Sequence, residues 1–322
     1  MSLSLIEAEV LFGRMLDGEM DDAEIATMLV KLADRGETAE EIAGAARAMR
    51  ARMKRIAAPP HAIDVCGTGG DGQHSLNIST AVALVVAACD VPVAKHGNRA
   101  ASSKAGAADT LEALGLNLAA ASERAEETLA DIGIAFLFAQ AHHPALGRIA
   151  PIRKSLGRRT IFNLLGPLAN PAGVTRQLAG VADPAQVSVY RAAMELLGSD
   201  RALIVSGEEG LDEISIAGPT RIAAIGIDGF DVRVTSADAG LPSHSLEMIR
   251  GGDAAFNASA LRALLQGETG AYRDAVLLNA AGALIVAGEA ANWREGAEEA
   301  AEAIDKGLAN TLLNCWIAAC ND

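Results

Sequence analysis

Residues 63–114, IDVCGTGGDGQHSLNISTAVALVVAACDVPVAKHGNRAASSKAGAADTLEAL, hold the pattern from which the rest of the chain can be read. Ile63-Asp64-Val65-Cys66 is a short, mostly apolar run that stops at Gly67-Thr68-Gly69-Gly70-Asp71-Gly72. Glycines at this density disfavour a helix or strand interior, and they permit positive φ and close approach of backbone to a ligand. Asn77-Ile78-Ser79-Thr80 leads into the apolar run 81–88, with small polar residues where a helix N-cap belongs. A strand, a glycine loop and a helix N-terminus aim several N–H donors and a positive dipole end at one point, which suits an anion, above all phosphate. A plain tight turn between strand and helix would account for the glycines alone equally well.

The second half of the stretch separates these readings. Val91-Pro92-Val93-Ala94 reads as another strand, delivering Lys95-His96-Gly97-Asn98-Arg99 at its end. Ser102 and Ser103 then offer caps to a helix running to about Leu114, with Gly115 as its stop. In a parallel α/β sheet, ligands sit outside the carboxyl ends of the strands, so the two polar loops should share one crevice. Two basic residues, two Ser hydroxyls and an Asn facing a glycine loop describe a polyanion site better than a solvated surface.

Composition narrows the class. Half of the 322 residues are apolar and only 3% are aromatic, which suits helices packed closely on a sheet rather than an all-β sandwich. The formal net charge of −14 argues against a nucleic-acid surface. An acidic protein that takes a phosphorylated substrate must gather its Lys and Arg locally or recruit a divalent cation. Cys66, Cys89, Cys315 and Cys320 lack paired metal spacing, so reduced thiols in a cytosol are expected. No charged-then-apolar leader opens the chain and the apolar runs fall short of a membrane span, so a soluble cytoplasmic protein is expected, with no membrane partner.

Residues 1 to about 60 read as short amphipathic helices. Ser4-Leu5-Ile6-Glu7, Asp21-Asp22-Ala23-Glu24 and Thr38-Ala39-Glu40-Glu41 each have capping-box spacing, and Ala57-Ala58-Pro59-Pro60 is the joint before the sheet. Further on, Ser122 reads as the cap of a helix through Asp131, and residues 134–138 as a strand ending at His142-His143-Pro144, a substrate-facing loop in preference to a zinc site. The basic cluster Arg153-Lys154 and Arg158-Arg159 follows another strand-end loop, which favours anion binding over a bare surface patch. Residues 142–168 are expected to pack back on the N-terminal helices. Residues 202–205 read as a buried strand whose loop carries Asp212-Glu213, hard oxygen ligands suited to Mg²⁺ beside a polyphosphate crevice. Residues 214–234 suggest antiparallel edge strands. The fold expected is α/β: a small all-helical domain, 1–60 with 142–168 packed onto it, and a large domain, 61–141 and 169–322, with a central, mostly parallel sheet flanked by helices. Neither a P-loop signature nor a dinucleotide fingerprint is present.

The motifs Gly67-Thr68-Gly69-Gly70-Asp71, Asn77-Ile78-Ser79-Thr80, Lys95-His96-Gly97-Asn98-Arg99 with Ser102-Ser103, Asp109-Thr110-Leu111-Glu112-Ala113-Leu114-Gly115, His142-His143-Pro144, the run from Arg159 to Leu168 and Asp212-Glu213, in that order, resemble the anthranilate phosphoribosyltransferases of tryptophan biosynthesis. The resemblance implies a transferase that moves the 5-phosphoribosyl group of phosphoribosyl pyrophosphate (PRPP) to the amine of anthranilate. Binding of PRPP is implied for Gly67, Gly70, Asp71, Ser75, Asn77, Ile78, Ser79, Thr80, Lys95, His96, Gly97, Asn98, Arg99, Ala100, Ala101, Ser102, Ser103 and Ala107. Gly67, Asn98, His142 and Arg153 are implied to contact anthranilate, and Ser79, Asp212 and Glu213 to hold two Mg²⁺ ions per subunit of a homodimer paired through the helical parts. Ser75-Leu76, Ala100 and Ala107 stand where the family often has Thr-Phe, Ser and Ser, departures that trim a hydrogen bond at most. A pyrimidine nucleoside phosphorylase and a non-catalytic nucleic-acid-binding relative are the rival readings, and the acidic balance speaks against the second.

The implied reaction needs no general base, because an aniline-type amine is already neutral at pH 7. Its barrier lies in parting C1 of ribose from pyrophosphate. Lys95, Mg²⁺ and the loop N–H groups are expected to stabilise the departing charge, with one pre-aimed donor contributing about 3 kcal/mol.

Overall fold

The computed structural model of the chain describes residues 2–100, 104–230 and 233–321. Helices α1 (Leu5–Asp17), α2 (Asp22–Arg35) and α3 (Ala39–Arg50) open it, and each begins with a full capping box at Ser4, Asp21 and Thr38. In each box the acceptor side chain takes the N–H three residues on, while that Glu returns a bond to the cap's own N–H, which satisfies two donors a helix start would otherwise strand. Glu41 does more than cap. Fully buried, it also accepts the Leu3 N–H at 2.8 Å and pairs with Arg35, tying the N-terminal strand of chain to α2 and α3.

Six strands form one sheet in the order β3-β2-β1-β4-β5-β6. They are β1 (Ile63–Gly67), β2 (Val93–Gly97), β3 (Ile134–Phe138), β4 (Arg176–Gly180), β5 (Arg201–Gly207) and β6 (Thr220–Ile225); the first five are parallel and β6 runs antiparallel at the edge. Between β1 and β3 lie α4 (Ile78–Ala87), α5 (Ala107–Ala113), α6 (Leu118–Glu123) and α7 (Ala125–Asp131). After β3 come α8 (Ala139–His142) and α9 (Leu146–Leu156), and α10 (Val187–Leu196) joins β4 to β5. The chain ends in α11 (Ala254–Leu265), α12 (Ala271–Ala287), α13 (Trp293–Asp305) and α14 (Leu308–Asn321).

Strand alternation sorts the core into two layers. Ile63, Val65, Val93, Leu178 and Leu203 face α4 and the C-terminal helices. Ala179, Ala202 and Ile204 face the other way, into a core shared with Phe12, Ile25, Leu29, Ile149, Ile152 and Phe162. The segment 146–168 thus packs on α1 to α3, with the Phe12 and Phe162 rings edge to face at 5.8 Å. A polar seam crosses this second face. Buried Asp64 accepts the His96 N–H at 3.1 Å and Asn170 Nδ2 at 2.8 Å, and its carboxyl is raised to about 6 by burial, an effect that Lys95 and those donors only partly offset.

Several local expectations are corrected. Ser122 caps nothing: it lies inside α6 and donates to the Leu118 carbonyl, while Asn117 caps that helix and Arg124 stands at the N-cap of α7 with no side-chain cap bond. Lys95 and His96 sit within β2 rather than beyond it, because the strand starts at Val93, after Pro92, and continues to Gly97. Arg153 lies on α9, not in a loop, since Pro151 is accommodated inside that helix. In the 214–234 region one strand, β6, forms, with a single bridge from Thr220 to Val234.

Candidate active site

The strand order reverses direction between β1 and β4, and the crevice outside their carboxyl ends is where an open α/β sheet takes its ligand. Gly67 and Gly180 end these two strands as paired neighbours. Both are glycine for a steric reason. A Cβ at Gly67 would stand 2.2 Å from Asp212 Oδ2, and one at Gly180 would stand 1.7 Å from the Asp212 carbonyl oxygen. The turn after β5 is therefore laid across two bare strand ends, and its carboxylate drops into the glycine loop. Gly69 N–H donates to Asp212 Oδ2 at 2.6 Å, and Gly69 and Gly70 both have φ near +70°. From behind, Asn279 on α12 grips the same turn, accepting the Ile214 N–H at 2.8 Å and donating to the Ile214 carbonyl at 2.9 Å.

Glu213 turns to the first turn of α4, where its Oε1 accepts the Ser79 N–H at 3.2 Å. Lys95 Nζ, buried beneath, donates to Ser79 Oγ at 3.1 Å and to the Val65 carbonyl at 2.7 Å. Burial first, and then the neighbouring carboxylates Asp71 and Asp212, push Asp212 and Glu213 well above the usual carboxylate range. Two acids held together in a buried crevice at such cost are what a divalent cation would stabilise. Among the described residues no cluster of three His, Cys, Asp or Glu could form a closed cage. An open set of hard oxygens from Asp212, Glu213 and Ser79 fits Mg²⁺, which keeps water and substrate phosphate in its shell.

On the opposite face of the sheet His96, His142 and His143 are all buried. His96 directs its ring away from Lys95, with Nδ1 2.8 Å from the Gly166 carbonyl, and it stands 5.2 Å from the His143 ring. Nε2 of His96, His142 and His143 are all buried without a partner among the described residues. Burial, followed by the neighbouring imidazole, lowers His96 to about 3 and His143 to about 4, so both rings are neutral at pH 7. Arg153 lies on α9. Its guanidinium lies 5.8 Å from the Phe162 ring centre, burial depresses its pKa, and no ion pair holds it among the described residues.

The residues named from sequence divide accordingly. Gly67, Gly70, Asp71, Ser79, Lys95, Asp212 and Glu213 converge, and Ile78 and Thr80 are buried in the turn of α4 that carries Ser79. Asn77 is spent inside the protein: Oδ1 accepts from Thr110 and Asn257, and Nδ2 donates to the Ala105 carbonyl. The Arg99 guanidinium is not in the crevice either. It is clamped by Asp109 and Glu112 and lies over Phe138, and Asp109 also takes the Ala100 and Gly106 N–H groups. His96 likewise offers the crevice no side chain. Ser75 pairs with Arg250 in a bridge, and Gly97 and Ala107 pack together. Ala101, Ser102 and Ser103 lie outside the described residues. Burial drives the Cys66 thiol far up. Sequence reasoning missed Gly180, whose signal was a glycine closing a strand, and Asn279, which gave none.

The chain matches the glycosyl transferase family, a/b domain, over residues 59–310, and the helical bundle domain of that family over residues 1–53. It is 69% identical to the anthranilate phosphoribosyltransferase of Novosphingobium aromaticivorans over 97% of this chain and 95% of the relative. The crystal structure of the enzyme of that name from Thermus thermophilus superposes with a TM-score of 0.95 at 42% identity, covering 100% of this chain and 97% of that one. The Saccharomyces cerevisiae enzyme, solved in complex with PRPP and Mg, gives 0.90 at 29% identity, covering 99% and 93%.

Proposed function

The chain belongs to the anthranilate phosphoribosyltransferases, and from that membership we propose how its own residues carry the reaction. It transfers the 5-phosphoribosyl group of PRPP to the amine of anthranilate and releases pyrophosphate, in L-tryptophan biosynthesis. The yeast relative has been solved with PRPP and Mg, and with 4-fluoroanthranilate. Mg²⁺ is used here too, and two ions per subunit is our proposal from the separate placement of Asp212 at the glycine loop and Glu213 at Ser79.

In this reading the diphosphate lies against Gly67–Asp71 and the N-terminus of α4, whose N–H groups and dipole meet the departing negative charge. Bound Mg²⁺ would neutralise that leaving charge as a Lewis acid. Lys95 serves from below. Its ammonium fixes the Ser79 hydroxyl and balances Glu213, and one N–H remains for a phosphate oxygen. The neutral His96, His142 and His143 rings would wall the aromatic acceptor, and the unpaired Arg153 guanidinium would take its carboxylate, holding the amine in line with C1. Asn98, just past the end of β2, would also face the acceptor, and its Oδ1 accepts the Arg99 N–H at 2.8 Å.

We divide the chain into a helical domain, 1–60 with 142–168, and a large domain made of the rest. We also propose a cytoplasmic homodimer paired through α1, where Ile6 and Val10 are 71% and 58% exposed one turn apart. No helix among the described residues is long and apolar enough to cross a membrane. The observation that carries the mechanism is Asp212 seated on the bare ends of β1 and β4. Loss of anthranilate fluorescence should require PRPP and Mg²⁺ together, and Asp212→Ala with Glu213→Ala should lower turnover at least a hundredfold, as roughly 3 kcal/mol of lost stabilisation implies. Near-normal turnover in that variant would remove the metal assignment.

A further inference from the structure

Arg159 belongs to the segment after α9, on the helical side of the crevice, yet its guanidinium reaches the glycine loop. Its Nη1 donates to the Gly69 carbonyl at 3.2 Å and to the Gly70 carbonyl at 2.8 Å. The neighbouring Arg158 points the other way and pairs with Asp34 of α2 at 2.7 Å. Gly157, with φ of +60°, ends α9 and lets the chain turn there, and Thr160 N–H donates to Asn163 Oδ1 at 3.0 Å, so the short run between them is fixed at both ends. Two adjacent arginines thus strap the loop to the helical part.

What the strap does to the loop follows from peptide geometry. In a trans peptide the N–H of one residue points opposite to the carbonyl of the residue before it. Pinning the Gly69 and Gly70 carbonyls on Arg159 therefore turns the Gly70 and Asp71 N–H groups to the far side, and neither has a hydrogen-bond partner among the described residues. With φ near +70° at both glycines, these carbonyls would otherwise swing with little steric resistance.

We propose that Arg159 is a positioning residue for the transfer: it holds the two peptide planes that present the Gly70 and Asp71 N–H groups to the diphosphate of the sugar donor. The proposal deepens the reading of the glycine loop given above and rests on it. The hydrogen bonds of Arg159 go to backbone carbonyls and its positive charge also bears on Asp212, so its loss should weaken the diphosphate and spare the aromatic acceptor.

The test uses the full-length chain and measures the affinity of inorganic pyrophosphate with Mg²⁺ by calorimetry, alongside steady-state KM values. Arg159→Ala is expected to weaken pyrophosphate roughly tenfold or more, the scale of a lost hydrogen bond to a charged group, and to raise the PRPP KM while that of anthranilate holds. Arg159→Lys, whose ammonium can still donate to both carbonyls, should recover most of the affinity. Arg158→Ala should leave it unchanged. Unaltered affinity in Arg159→Ala overturns the proposal, as does equal weakening in Arg158→Ala, which would trace the effect to the segment as a whole. Should Arg159→Ala fail to fold, Arg159→Met keeps the stem without the donors and is judged by the same readings. A wild-type chain that binds no Mg-pyrophosphate would instead refute the reading of the loop itself.

Discussion

At the scale of single residues, the protein places a hydrogen-bonded lysine and a buried neutral ring side by side on opposite faces of one strand. Successive residues of β2 show this: Lys95 is hydrogen-bonded on the face of α4, while His96 is neutral on the other. The histidines carry a consequence for acid stability. Both folded values lie below the ordinary 6.5, so below that pH the unfolded chain takes up protons that the folded chain refuses, and stability falls as pH falls. At pH 5 this amounts to about 2 kcal/mol for each ring. Asp64, raised to about 6, acts in the opposite sense between roughly pH 4 and 6, so the contribution of one histidine has to be read by difference. Urea unfolding of His143→Gln and the native chain at pH 7 and pH 5 should show a smaller acid loss in the variant. Equal losses would mean that His143 is already charged in the fold.

At the scale of elements, the capping boxes of α1 to α3 were legible because they are local: an acceptor three residues before a Glu needs no tertiary partner. Glu41 exceeds that description. Burial raises its carboxyl, but the Leu3 and Thr38 N–H groups and Arg35 outweigh burial and leave it below the usual range. Its stabilising effect is present above ordinary carboxylate pKa values and lost in acid. Glu41→Ala should cost about 2 kcal/mol through these stranded donors, lowering Tm by several degrees, whereas Thr38→Ala should cost about 1 kcal/mol. A calorimetric scan ranking the two in reverse would show that Glu41 is only a cap. The cap assigned to Ser122 failed for the same local reason that the others succeeded: Asn117, five residues earlier, is the better acceptor and starts its helix first.

At the scale of the whole molecule, the exposed pair Ile6 and Val10 leaves the helical part with an apolar face. If the proposed homodimer pairs through this face, Ile6→Glu with Val10→Glu should shift the mass measured by light scattering from dimer to monomer; a native chain that is already monomeric overturns the homodimer, and a dimer that survives both charges places the interface elsewhere. Periodicity, glycine placement and cap chemistry in the chain were enough to indicate the parallel strands of the sheet, the glycine loop and the caps of α1 to α3, because each is written in short-range backbone preferences, whereas the seating of Asp212 against that loop is a contact made across the fold. Which way side chains point was another matter. That Arg99 turns onto Phe138, that Asn77 is consumed by Thr110 and Asn257, and that Arg159 crosses to the loop all depend on partners far along the chain. A polar side chain goes to whichever of its possible partners the packed layers bring within reach, and only the assembled sheet, with helices on both faces, decides which those are.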